Sequence, residues 1–244
     1  QATERFASPQ GYTPKHLAEK ILTSKSVLEG ERKQVTVLFA DLSDFTMMAG
    51  ELDAEELHNI LNRYFQVVDA IIHRFGGRID KHIGDGVMAV FGAPIAHTND
   101  TERAVRAAYE IRRAMPSLGE SAGREMQTHI GIASGLVVAG DLLSASAGKE
   151  HVVLGETPNL AARLVDLAAS GEVVVSAPTR ALIRNAFDLR ELAPQLVKGM
   201  VLPVVAYSVL SARALESRFD AQQGTQLTTL VGRDKESAAL DECW

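Results

Sequence analysis

Residues 78–92, RIDKHIGDGVMAVFG, read as a strand, a Gly-Asp-Gly turn and a second strand. Upstream of this hairpin, Leu57, Ile60, Leu61, Tyr64, Val68, Ile71, Ile72 and Phe75 recur at three- and four-residue steps. That is the pattern of a long amphipathic helix, which Asp53 can cap and Gly76-Gly77 can stop. Before it, Val35, Val37, Leu38, Phe39 and Ala40 make a short apolar run ending at Asp41, which suits a buried strand. Downstream, Asn99 to about Leu118 predicts a second helix, with Ala104, Val105, Ala108, Ile111 and Met115 on one side. Two strands are expected next, at about 126–133 and 136–141, joined by Ser134-Gly135. Strand, helix, two hairpin strands, helix and strand form the split βαβ arrangement of ferredoxin-like folds, and this mixture marks the chain as α+β.

Beyond that core the pattern predicts a short strand at 151–154, a helix at about 156–169, a strand at 172–176 and a helix near 178–186. Closing strands are expected around 187–192 and 204–210, giving a ferredoxin-like βαββαβ core with additional strands and helices, its sheet flanked by helices. Residues 1–30 are polar except for a narrow stripe of Leu17, Ile21 and Leu22 after Thr13-Pro14, and read as an N-terminal helix and linker. Residues 211–244 begin as a charged, helix-compatible linker. They end with Leu230-Val231-Gly232-Arg233-Asp234, which resembles the opening of the ATPase modules that often follow signalling domains.

The 244 residues are 46% hydrophobic but only 5% aromatic, so aliphatic side chains must fill the core. Lys and Arg total 25 against 31 Asp and Glu, a net charge of −6, so no global positive field invites nucleic acid or anionic lipid. The single cysteine, Cys243, provides neither an intrachain disulfide nor a cysteine metal cluster and fits a reducing compartment. No apolar run approaches the roughly 18 residues of a membrane span, and the polar start lacks the order of a secretory signal. A soluble, cytoplasmic chain is expected. Its start at Gln1 reads as a piece of a longer multidomain protein.

The seven histidines never stand four apart, and neither a Gly-x-Ser-x-Gly elbow nor a glycine-rich phosphate loop is present. Arg103, Arg106, Arg112 and Arg113 make the densest basic stretch, which reads as a solvated helix face. The remaining candidates are acidic. Asp41 stands where an apolar strand stops, and Asp85 stands in the glycine turn between Gly84 and Gly86. Two carboxylates at neighbouring strand edges suit Mg²⁺ or Mn²⁺, which keep waters and share substrate phosphates. Spacing alone favours Asp85 as a turn former and Asp41 as a loop cap. Asp44, three residues after Asp41, is a competing ligand but reads as the N-cap of a following helix.

Four blocks together resemble the class III nucleotidyl cyclase catalytic domain: FADLSDFT at 39–46, KHIGDGVMAVFG at 81–92, GIASG at 131–135 and GETPNLAARL at 155–164. They occur in the family's order and spread across residues 34–210, within a catalytic domain expected at 31–210, and the likeness is greatest to bacterial and soluble-type adenylyl cyclases. The resemblance implies conversion of ATP to 3′,5′-cyclic AMP and pyrophosphate with two divalent cations. Asp41 and Asp85 match the metal-binding aspartates, Asn159 the ribose-orienting asparagine, Arg163 the transition-state arginine and Lys81 the purine-selecting lysine. Lys198 falls where the family places a lysine near the terminal phosphates. The family builds its site at a dimer interface, which implies a head-to-tail, two-fold homodimer with two shared sites.

The sequence also departs from the family pattern. Val152 stands where adenylyl cyclases often carry an adenine-reading aspartate or threonine, so base selection would lean on Lys81 and backbone groups. Leu136 and Met200 stand where relatives can carry phosphate-binding cations. These positions leave open a guanylyl cyclase, or a nucleotide-binding regulatory module without turnover that controls an attached ATPase.

Overall fold

The computed structural model describes residues 31–144, 148–196 and 203–213, with backbone alone at 31, 139–144 and 148–154. The chain enters along strand β1 (Glu31–Leu42), makes a short helix α1 (Phe45–Glu51) and then the long helix α2 (Ala54–Arg74). The hairpin β2 (Arg78–Ile83) and β3 (Gly86–Phe91) follows, then α3 (Asp100–Ser121) and the long strand β4 (Thr128–Ser144). Strand β5 (Gly148–Leu154), α4 (Glu156–Leu167), β6 (Val173–Ser176), α5 (Ala177–Ile183), β7 (Phe187–Glu191) and β8 (Ala206–Ala212) complete the described chain.

All but β5 lie in the order β2-β3-β1-β4-β6-β8-β7, and β5 pairs on β4. Strands β2, β3, β1 and β4 pair antiparallel with one another, which is the ferredoxin-like core that the helix and hairpin order predicts, and β6 then pairs in parallel with β4. Side chains alternate across β1: Leu38, Ala40 and Leu42 face one layer and Val35 and Val37 the other. Helices α2, α3 and α5 cover the first face, through Tyr64, Val68, Ile72, Ile111 and Ile183 among others. Helix α4 covers the second with Ala161 and Leu164. Tyr64, Phe91, Leu38 and Ile72 are among the largest fully buried side chains, and burial stabilises by about 1.5–3 kcal/mol for an apolar side chain such as Phe91, Leu38 or Ile72.

Asp53 caps α2 as expected, its side chain accepting from the backbone N–H groups of Glu55 and Glu56 at 3.0 and 2.8 Å. Asp44 occupies the N-cap position of α1 but not the capping role: its backbone is left-handed, φ 58°, and its side chain makes no cap hydrogen bond. The basic stretch on α3 is less solvated than the sequence suggests. Arg112 donates to the backbone carbonyls of Val209 and Leu210, and Arg106 pairs with Glu102 and lies 5.7 Å from the Phe187 ring centre.

One expectation fails outright. Ser134-Gly135 does not join two strands; it lies inside the single strand β4, which pairs with β1 continuously from Glu31↔Ala139 to Leu42↔Thr128. The glycines here serve helix packing rather than a turn. A Cβ on Gly131 would come within 2.3 Å of the Ala161 carbonyl oxygen, and one on Gly135 within 2.5 Å of Thr157 Oγ1. Their absence lets α4 lie directly on the strand. Ser134 points to the other face, where its hydroxyl bonds those of Thr36 at 2.8 Å and Thr179 at 3.0 Å in a buried network. The stripe of Leu17, Ile21 and Leu22, together with Lys198, Met200 and Arg233, lies outside the described residues.

Candidate active site

The end of β1 and the β2–β3 turn meet at one edge of the sheet. Antiparallel pairing of β1 with β3 carries Asp41 toward the turn, and Gly84, at φ +63°, supplies the left-handed residue the turn requires. Asp85 then reaches across to β1, its Oδ2 accepting from the Leu42 N–H at 3.2 Å. Gly86 keeps the approach open. A Cβ there would stand 3.3 Å from Asp41 Oδ1 and 3.2 Å from the Ile83 carbonyl oxygen.

The two carboxyl groups share a hydrogen bond, and Asp41 is pushed up from 3.8 to about 7. Burial is the largest cause, followed by the hydrogen bond to Asp85 and the Asp85 charge; the Leu42 backbone opposes the shift and the Asp166 charge adds to it. An open cleft of about 410 Å³ runs past Asp41 and Asp85 to His129, Val165 and Asp166. His129 lies opposite Asp41 in the β1–β4 register, and its Nδ1 is 2.8 Å from the Ala168 carbonyl oxygen, which ties β4 to the end of α4.

Behind the pair, Tyr64 is wholly buried, and its hydroxyl has no hydrogen-bond partner among the described residues. Burial and the charges of Asp41, Asp85 and Asp69 raise the phenol well above its usual range.

The donor set fits hard divalent cations. Two adjacent carboxylates repel one another, and an oxygen-seeking cation between them relieves that repulsion. No cluster of three or more His, Cys, Asp or Glu side chains suited to a metal occurs among the described residues. Such a pair therefore suits an ion that completes its shell with water and substrate oxygens rather than one held in a closed protein cage.

Asn159 and Arg163 stand one turn apart on α4, as their spacing requires, but neither lines the cleft. Asn159 is exposed, and Arg163 pairs with Asp166 of its own helix at 3.5 Å, both side chains substantially exposed. Lys81 is on β2 with 49% of its side chain exposed, beside Asp80. Val152 is on β5 opposite Gly140 of β4. Leu136 is 66% exposed. One protomer thus joins Asp41 to Asp85 and leaves Asn159 and Arg163 outside their cleft.

Sequence reasoning missed Asp166, His129, Tyr64 and Asp80. Asp166 reads as surface charge at a helix end, and His129 acquires its place only through the strand register. Tyr64 is legible as core, but its position behind the acid pair is not.

Residues 27–211 match the model of the adenylate and guanylate cyclase catalytic domain. Adenylate cyclase 1 of Rhizobium meliloti (strain 1021) is 29% identical over 214 residues, covering 82% of this chain and 31% of that protein. The crystal structure of the adenylyl cyclase CyaB from P. aeruginosa superposes with a TM-score of 0.72 at 32% identity, covering 75% of this chain and 97% of that one. The guanylate cyclase domain of RhGC from Catenaria anguillulae, in complex with GTP, gives a TM-score of 0.70 at 28% identity, covering 75% and 100%. Against the first curated relatives, the match takes in between 24% and 31% of their length. Among the described residues no helix is long and apolar enough to cross a membrane.

Proposed function

Because the chain belongs to the adenylate and guanylate cyclase catalytic domain family, we propose that residues 31–210 form an adenylyl cyclase domain, converting ATP to 3′,5′-cyclic AMP and pyrophosphate at sites shared between two copies of the chain. The observation that carries this reading is the Asp41–Asp85 pair, two hydrogen-bonded carboxyl groups at the mouth of an open cleft inside a cyclase fold. The remaining segments are assigned as an N-terminal helix and linker, 1–30, and a C-terminal linker whose end resembles the start of an ATPase-like domain, 211–244.

Asp41 and Asp85 would hold two divalent cations, Mg²⁺ or Mn²⁺. Bound there, the cations supply Lewis acidity at the ribose 3′-hydroxyl and neutralise charge on the triphosphate. In the reaction the 3′-oxygen loses its proton and bonds to the α-phosphorus, while the bond from that phosphorus to the bridging oxygen breaks and pyrophosphate departs. Arg163 of the second copy would fork onto the phosphate oxygens on which charge develops. Asn159, one turn away, would orient the ribose, and Lys81 would donate to a ring acceptor of the purine. Lys198 is assigned to the terminal phosphates. The separation of Asn159 and Arg163 from the acid cleft in one protomer supports a shared site, because one sequence carries both halves.

ATP is preferred as substrate on the likeness to two adenylyl cyclases. A guanylyl cyclase is the second reading. Val152 favours it by offering no side-chain acceptor for the adenine amine, and the structural likeness extends to a guanylate cyclase domain. Incubation of the purified chain with Mg²⁺ or Mn²⁺ and either ATP or GTP, followed by separation of the cyclic products, tests both. Cyclic AMP as the main product supports the first reading and cyclic GMP the second. Absence of either product from a proven dimer would reject turnover and favour the nucleotide-binding regulatory module.

A further inference from the structure

Strand β2 contains an irregularity that the cyclase reading does not use. Pairing with β3 runs Arg78↔Val90, Ile79↔Ala89 and then Lys81↔Met88, so the register shifts between Ile79 and Lys81 and Asp80 has no partner in the ladder. In a regular strand adjacent side chains point to opposite faces. Across this bulge the Asp80 carboxylate and the Lys81 ammonium lie 3.5 Å apart. A bulge is a device that re-aims a side chain.

The Asp80 side chain is only 4% exposed, and both its oxygens are engaged: Oδ1 accepts from Arg78 Nη2 at 3.3 Å, and Oδ2 faces Lys81 Nζ. A carboxylate so enclosed requires positive partners. Arg78 satisfies it from within the strand, so Lys81 is not needed to neutralise it. At 3.5 Å the contact with Lys81 is an electrostatic guide rather than a full hydrogen bond, and the three ammonium donors stay available. Lysine is a flexible four-carbon stem carrying a point charge, and ordering it on ligand binding costs affinity unless it is already directed.

We propose that Asp80 is a positioning residue for Lys81, and that the bulge in β2 together with Asp80 and Arg78 sets the purine affinity and selectivity of the site. This rests on the assignment of Lys81 to the purine in the preceding section. Asp80 touches no substrate in this scheme; it acts through the lysine.

The test is steady-state kinetics of cyclic nucleotide formation from ATP and from GTP with the full chain and with Asp80→Asn, Lys81→Met and the double variant, each checked for cooperative melting. Asp80→Asn is expected to raise the KM for ATP by roughly 3–10-fold with kcat within about twofold, and to shift the ATP:GTP ratio of kcat/KM in the direction Lys81→Met shifts it. In the Lys81→Met background, Asp80→Asn should move the ratio no further. Asp80→Glu, which keeps the charge, should lie between Asn and the native chain. If Asp80→Asn does not melt cooperatively, Asp80→Ser carries the same expectation. Native KM and ratio in a folded Asp80 variant, alongside a clear effect of Lys81→Met, overturn the proposal while leaving the Lys81 assignment intact. No effect of Lys81→Met on either quantity overturns that assignment, and the positioning role with it.

Discussion

The acid cleft and the outer face of α4 are built in opposite ways. At the cleft, Asp41 and Asp85 come from segments 44 residues apart and are locked together by strand pairing, by Gly86 and by the bond from the Leu42 N–H. On α4, Asn159 and Arg163 are near neighbours in sequence, and the helix alone sets their spacing; among the described residues Arg163 pairs with Asp166, at 3.5 Å. The first region is a preformed pair of oxygen donors burdened by mutual repulsion. The second is a cation held only by an exposed pair with Asp166 of its own helix. If the site is shared as proposed, a second copy need bring only side chains that a helix already presents, whereas the acid pair is made by folding.

Complementation between two inactive variants tests the contrast most severely. Asp41→Ala and Arg163→Ala are each expected to lower kcat by about 100-fold or more, the scale for removing a group that stabilises transition-state charge. Mixed in equal amounts with free exchange of subunits, they should recover about a quarter of native activity, because half of the dimers are hybrids and each hybrid has one intact site. Cyclic nucleotide formation measured before and after mixing checks this. No recovery despite proven hybrid dimers would place both halves in one protomer.

A smaller effect separates how the two regions are held. Gly131→Ala places a methyl carbon 2.3 Å from the Ala161 backbone oxygen, so α4 must move, and a loss of about 1–3 kcal/mol in stability is expected from overpacking. Gly84→Ala, at the turn, meets nothing within 4 Å and bears only the left-handed backbone cost, about 1–2 kcal/mol. Chemical denaturation checks both. The α4 variant should lose activity beyond its loss of stability, because Asn159 and Arg163 travel with the helix.

The pH dependence of stability sharpens the account of the acid pair. Folded Asp41 keeps its proton up to about 7, whereas the unfolded chain releases it near 3.8. The folded state therefore binds more protons between those values, and this group's contribution to stability falls as pH rises through the window. In metal-free buffer Asp41→Asn should melt at a higher temperature than the native chain at pH 8 and differ little at pH 4. Mn²⁺ should raise the native melting temperature more at pH 8 than at pH 5, and should do so only weakly in the variant. An increment independent of pH would separate cation binding from Asp41.

Much of this was legible in the sequence, and what was not follows a physical pattern. The periodicity from Leu57 to Phe75 located α2, and the glycine turn located Asp85, because both are local. Ser134-Gly135 misled because glycine marks a turn and a close helix contact with the same letter; only the approach of Ala161 and Thr157 tells them apart. Asp44 stands at the N-cap position but in a left-handed conformation, which residue type alone does not reveal. The family blocks identified Asp41 and Asp85 as a pair, yet the residues around them, His129, Asp166 and Tyr64, depend on strand register and layer stacking and carry no local signal.

The smallest predicted effect concerns that last residue. Tyr64 is wholly buried behind the acid pair, and its hydroxyl has no partner among the described residues. An unsatisfied buried hydroxyl costs about 1–3 kcal/mol relative to a site without it, while the ring contributes through packing in the α2 layer. Tyr64→Phe keeps the ring and removes the cost, so stability should stay level or rise by up to about 1 kcal/mol, with kcat within about twofold. Denaturant melts and initial rates on the same preparation check both. A loss of stability would mean that the hydroxyl is satisfied in solution, by a water or by one of the two carboxylates. The acid cleft would then extend one layer deeper than the strand edge, and the contrast with the self-contained helix face would widen.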